Sequence, residues 1–105
     1  MPVYHTVAYE FDTAAEMTEA FTGKVLAPDY SRVMNPTVTY LENKVKAITE
    51  ADNVYAFNSG MAAICNILLA ICEAGKNVVT SRHLFGNSFA LLDTTLRRFG
   101  VASRM

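Results

Sequence analysis

The chain has 105 residues, 51% of them apolar and 18% charged, with a net charge of −1. That is one small domain's worth of sequence, too apolar to be disordered and too neutral to recruit nucleic acid or an anionic membrane by charge. The longest apolar run, residues 67–72, is far short of a transmembrane helix, and the high apolar share points to surface that packs against further chain or a second subunit.

Pro2 and Tyr4 stand where a secretory signal needs basic residues, and no apolar core follows, so the sequence reads as cytoplasmic. Residues 2–11 carry Val3, Val7, Tyr9 and Phe11 on odd positions, a loose alternation that predicts an extended arm. Asp12 or Thr13 is placed to cap a short helix, with Glu16 as its partner in a capping box and Gly23 as its end. Residues 24–34 have no period and contain Pro28 and Asp29, so they read as loop. Asn35 as N-cap and Pro36 at the first helical position open the best-defined helix. Val38, Leu41, Val45 and Ile48 give that helix a single apolar stripe, expected to be buried.

From Asn53 onward short apolar runs alternate with helices. Residues 54–57 read as a brief strand, 60–73 as a helix apolar almost all round and hence buried, and 78–81 as a second strand. Residues 88–99 form another helix stopped by Gly100, and Val101 opens a third strand. Strand, helix, strand, helix, strand is the pattern of a parallel α/β sheet. With the third strand barely begun at Met105, the sequence is expected to be a truncated piece of a larger sheet. Cys65 and Cys72 share a helix face about 10 Å apart along the axis, too far for a disulfide. Lacking a Cys-x-x-Cys pair or histidine partner for a metal, they are expected to be buried reduced thiols.

Asn58-Ser59-Gly60-Met61 lies between the first expected strand and a helix. A turn at the carboxyl end of a parallel strand is where α/β folds bind ligands, and the free N–H groups and dipole of a helix start favour an anion. Gly60 lets the backbone approach closely and Ser59 adds a hydroxyl; the plainer alternative is an ordinary turn that uses glycine for its torsion angles. No Walker or dinucleotide glycine fingerprint is present. Tyr30-Ser31-Arg32 could hold a phosphate through a bidentate guanidinium and a phenol, or simply be solvated. Phe85, at the same expected edge, could stack on a planar ligand or serve as a core residue. His5 and His83 stand alone and receive no role.

Together these segments resemble the Cys/Met-metabolism family of pyridoxal-phosphate enzymes, which includes cystathionine γ-synthase, methionine γ-lyase and O-acetylhomoserine sulfhydrylase. The matching text is Pro2 to Thr6, Tyr30-Ser-Arg-Val-Met-Asn-Pro-Thr37, Leu41-Glu42, Ser59-Gly-Met-Ala-Ala-Ile64, Gly75 and Leu84-Phe-Gly86. The resemblance implies an aspartate-aminotransferase-like (type I) α/β fold, with residues 1–34 as an N-terminal arm and interface loop and 35–105 as the start of the cofactor domain. It implies that Ser59, Gly60 and Met61 hold the phosphate of pyridoxal 5'-phosphate. Tyr30 and Arg32 would reach the phosphate of a neighbouring subunit in a homo-oligomer, and Phe85 would take the place of the family's stacking tyrosine. The implied reaction on a small amino-acid substrate is replacement of the acyl group of an O-acylhomoserine by sulfide, giving homocysteine. The His83 to Asn87 wording favours that sulfhydrylase branch; a γ-lyase or a non-catalytic remnant are the alternatives. No catalytic residue is expected within the chain: Lys24, Lys44, Lys46 and Lys76 lie in no matching motif, so the family's Schiff-base lysine is not among them.

Overall fold

The computed structural model describes residues 2–105, so Met1 of the expected arm lies outside the described residues. Two compact units divide it, one running to Ala56 and the other spanning Phe57–Met105.

In the first unit, local signals set the helices. Thr13 caps α1 (Ala14–Phe21): its hydroxyl accepts from Glu16 N at 3.2 Å while the Glu16 carboxylate accepts from Thr13 N at 3.3 Å, the reciprocal pair of a capping box. Asn35 caps α2 (Pro36–Thr49), accepting from Thr37 N at 2.9 Å, with Pro36 in the first turn. The extended arm runs along the loop before α2: Ala8 and Tyr30 form an isolated antiparallel bridge, and Ser31 N donates to Val7 O at 2.8 Å. No described residue of this unit is fully buried. The expected burial of the α2 stripe is therefore corrected: Val38, Leu41, Val45 and Ile48 all stand exposed, Ile48 at 81%. An amphipathic helix shows its stripe but not the surface that covers it, and this unit supplies no such surface.

The second unit begins with α3 (Gly60–Ile71), capped by the Ser59 hydroxyl. The expected strand at 54–57 is absent: these residues are irregular, because no strand among the described residues pairs with them. A strand is defined by its partner's hydrogen bonds, which a single segment cannot supply. The turn after α3 leads to β1 (Asn77–Val79), followed by α4 (Gly86–Ala90), a π-helical segment (Leu91–Thr95), α5 (Leu96–Arg98) and β2 (Ala102–Arg104). β1 and β2 pair in parallel, Val78 opposite Ser103, so the unit is a small α/β fragment with a short parallel sheet.

Its core is Leu68, Leu91, Leu92, Leu96 and Val101, with Leu96 only 2% exposed. The π segment explains this set. In an α-helix, residues five apart are turned by about 140° and cannot share a face. Here Leu96 N donates to Leu91 O, a wider turn that brings both leucines onto the core. Cys65 and Cys72 both pack against this core, as their spacing predicts, but are half-buried free thiols rather than buried ones. The all-round burial expected of α3 also fails: Leu68 is buried, whereas Ile67, Leu69 and Ile71 are exposed. Among the described residues no helix is long and apolar enough to cross a membrane.

Candidate functional site

Helix α3 returns to β1 through the turn at residues 72–76, so the start of α3 lies toward the end at which β1 finishes. α4 begins at that same end, since it follows β1 directly. Contact between the two helix starts agrees: Ser88 Oγ lies 3.5 Å from Met61 Sδ, and Met61 and Leu84 pack on the same core. The turn at Ser59-Gly60 and the turn at Phe85-Gly86 thus share the carboxyl edge of the sheet.

The hydrogen bonds at the α3 start leave a defined set of free donors. Ala63 N donates to Ser59 O at 3.1 Å, and Ala62 N donates to Ser59 Oγ at 3.1 Å. The amides of Gly60 and Met61 donate to no acceptor among the described residues. The Ser59 hydroxyl proton is free as well, because its bond to Ala62 N uses only an oxygen lone pair. Gly60 is not held to glycine by its backbone, which lies outside the left-handed region. Nor is it held by crowding, since a Cβ there would meet no atom within 4 Å. Glycine at this position leaves room for close approach to the backbone from outside the chain. Phe85 is 75% exposed, so its ring does not belong to the core of this unit.

Tyr30 and Arg32 belong to the first unit. The Arg32 guanidinium sits over the Tyr30 ring, 5.4 Å from its centroid. Among the described residues neither the guanidinium nor the Tyr30 hydroxyl has a hydrogen-bond or ion-pair partner. Both residues are exposed. Two groups escaped the sequence reading. One is Ser88, whose contact with Met61 no local pattern announces. The other is a knot of Tyr9, Ser31 and Asn35, in which Asn35 was legible only as a helix cap.

Comparison with known proteins covers the entire sequence. A model of the family described as Cys/Met metabolism PLP-dependent enzyme matches residues 1–105. The chain belongs to that family. It is 42% identical over 101 residues to an L-methionine gamma-lyase of Fusobacterium nucleatum, covering 96% of this chain and 26% of that protein. It is 39% identical over 101 residues to an O-acetyl-L-homoserine sulfhydrylase of Corynebacterium glutamicum, covering 96% of this chain and 23% of that one. The chain thus spans about a quarter of the length of the curated relatives it matches. A crystal structure of a protein assigned as an O-acetylhomoserine (thiol)-lyase from Campylobacter jejuni, containing N'-pyridoxyl-lysine-5'-monophosphate, superposes with a TM-score of 0.93 at 30% identity. That match covers 99% of this chain and 26% of the other. Cystathionine gamma-lyase from Lactobacillus plantarum superposes with a TM-score of 0.81 at 26% identity, over 98% of this chain and 24% of its own.

The residues present fit a phosphate-bearing cofactor. Two amides without an acceptor among the described residues and a hydroxyl able to donate lie together at a helix start, and no Cβ on Gly60 holds an anion away.

Proposed function

We propose that this chain is the amino-terminal, phosphate-holding part of a cytoplasmic pyridoxal-phosphate enzyme of the type I fold. In our reading the enzyme replaces the acyl group of an O-acylhomoserine with sulfide, releasing a carboxylic acid and homocysteine. The observation that carries this reading is the pair of amides on Gly60 and Met61, unpaired among the described residues, at the same sheet edge as the turn that carries the exposed Phe85. Residues 1–34 act as arm and interface loop, and residues 35–105 open the cofactor domain.

Each residue has a task that its surroundings support. The Gly60 and Met61 amides donate to phosphate oxygens at the positive end of the α3 dipole. Ser59 keeps its capping bond and turns its hydroxyl proton to the same anion. Arg32 supplies the cation that a dianionic ester needs, and Tyr30 one further donor, both serving the phosphate of a neighbouring subunit in a homo-oligomer. Phe85 offers a flat apolar face against the ring while lacking a phenol, so it orients without moving a proton. Pyridoxal phosphate, when bound, supplies the electron sink on which replacement at the γ-carbon depends.

A γ-lyase is the second reading, favoured by the 42% identity to the Fusobacterium enzyme. The His83 to Asn87 wording favours the sulfhydrylase. Product analysis of the enzyme that carries these residues decides between them. Homocysteine formed from O-acetylhomoserine and sulfide is the expected result; a volatile thiol released from methionine, with no homocysteine from the first mixture, would overturn it.

A further inference from the structure

We infer that Asn35, together with Ser31 and Tyr9, is a positioning device that aims Tyr30 and Arg32, beyond the helix-capping duty its location suggests. The inference rests on the proposed phosphate role of those two residues. The Asn35 side chain is divided between two jobs. Its Oδ1 accepts from Thr37 N at 2.9 Å, which is the cap. Its Nδ2 faces away from the helix, toward Tyr4 O at 3.1 Å, Ser31 Oγ at 3.0 Å and Tyr9 OH at 3.3 Å. Serine, threonine or aspartate would cap as well; among good caps only asparagine adds a separate NH₂ with two hydrogens to give.

The bonds around it close on Ser31. The Ser31 hydroxyl donates to Thr6 O, which commits its proton. Its oxygen therefore accepts, from Asn35 Nδ2 and from Tyr9 OH at 3.2 Å. Its backbone is fixed too, Ser31 N donating to Val7 O at 2.8 Å. Immediately downstream, Val33 N and Met34 N both donate to Tyr30 O, at 2.8 and 2.9 Å, folding residues 30–34 into a turn that runs straight into the cap. Ser31 is thus pinned by side chain and main chain between Tyr30 and Arg32. These two stack on each other and present a phenol and a guanidinium without partners among the described residues. A pinned turn lowers the ordering cost those donors meet when they take up an anion.

A double-mutant cycle in the enzyme that carries these residues, read by equilibrium titration with pyridoxal phosphate, tests the device. Arg32→Ala should weaken binding by roughly tenfold or more, the loss of a charge-assisted contact. Asn35→Asp keeps the cap acceptor but removes the donors, and should weaken binding roughly fivefold, about one net hydrogen bond. Because Asn35 acts through Arg32 and Tyr30, the double variant should bind worse than Arg32→Ala alone by well under the loss that Asn35→Asp causes by itself, the remainder being the share of Tyr30. Ser31→Ala, which adds no charge, should follow the same non-additive pattern and stands in should Asn35→Asp fail to fold. Multiplicative losses, or full affinity in both Asn35→Asp and Ser31→Ala, would reduce Asn35 to a cap and overturn the inference while leaving the phosphate reading intact. Full affinity in Arg32→Ala would instead remove the phosphate role of Arg32, and the inference with it.

Discussion

At the edge where β1 and β2 begin, Gly100 has a φ of +79° and a Cβ added to it would stand 3.2 Å from the Ala74 Cβ. Its carbonyl accepts from Gly75 N at 2.8 Å, closing the two turns on each other. At the opposite edge Gly60 has an ordinary backbone and open space where a Cβ would go. One glycine is demanded by the fold, whereas nothing among the described residues demands the other. Under the proposed phosphate role the difference would separate stability from cofactor binding inside a unit of a few dozen residues, and substitutions should divide along it.

The largest effect is expected at the closed edge. Gly100→Ala combines a left-handed torsion with the Ala74 contact and should cost about 2 kcal/mol of unfolding free energy by denaturant titration. Cofactor affinity of the folded fraction should not change. Gly60→Ala should do the reverse, leaving stability unchanged or raised by up to about 1 kcal/mol, while cofactor affinity in a spectroscopic titration falls roughly tenfold. Ser59→Ala blurs the division, since Ser59 both caps α3 and offers a donor. About 1 kcal/mol of stability should go with a several-fold loss of affinity. Smallest on stability is Phe85→Ala, expected to stay within about 0.5 kcal/mol because the ring is already exposed. Weaker cofactor binding by that variant would sharpen the contrast; a large drop in melting temperature would break it.

What the sequence made legible was whatever is local. The Thr13–Glu16 capping box, the Asn35-Pro36 helix start and the first residue of α3 each depend on side chains within a few positions, and each stands where the pattern put it. Burial was not legible. The stripes of α2 and α3 are apolar, but a covering surface is a property of other parts of a structure, and here most of those side chains remain exposed. The strand expected at 54–57 fails for the same reason, since its ladder needs a neighbour. The π segment was hidden because pattern reading assumes one helical period, while Leu91 and Leu96 share a face only in a wider turn. In the candidate site, Ser59 and Gly60 were readable from residue type beside a helix start. The Asn35 knot was not, because it joins Tyr4, Tyr9 and Ser31 across more than twenty positions of arm and loop.

The central claim is that the backbone at Gly60 and Met61 holds the phosphate group in particular. Its most direct test is the ratio of affinities for pyridoxal phosphate and for pyridoxal, compared between the parent enzyme and its Gly60→Ala variant. A ratio that collapses in the variant, through weaker binding of the phosphorylated form alone, is the predicted result. An unchanged ratio, whether both ligands weaken together or neither does, would contradict it.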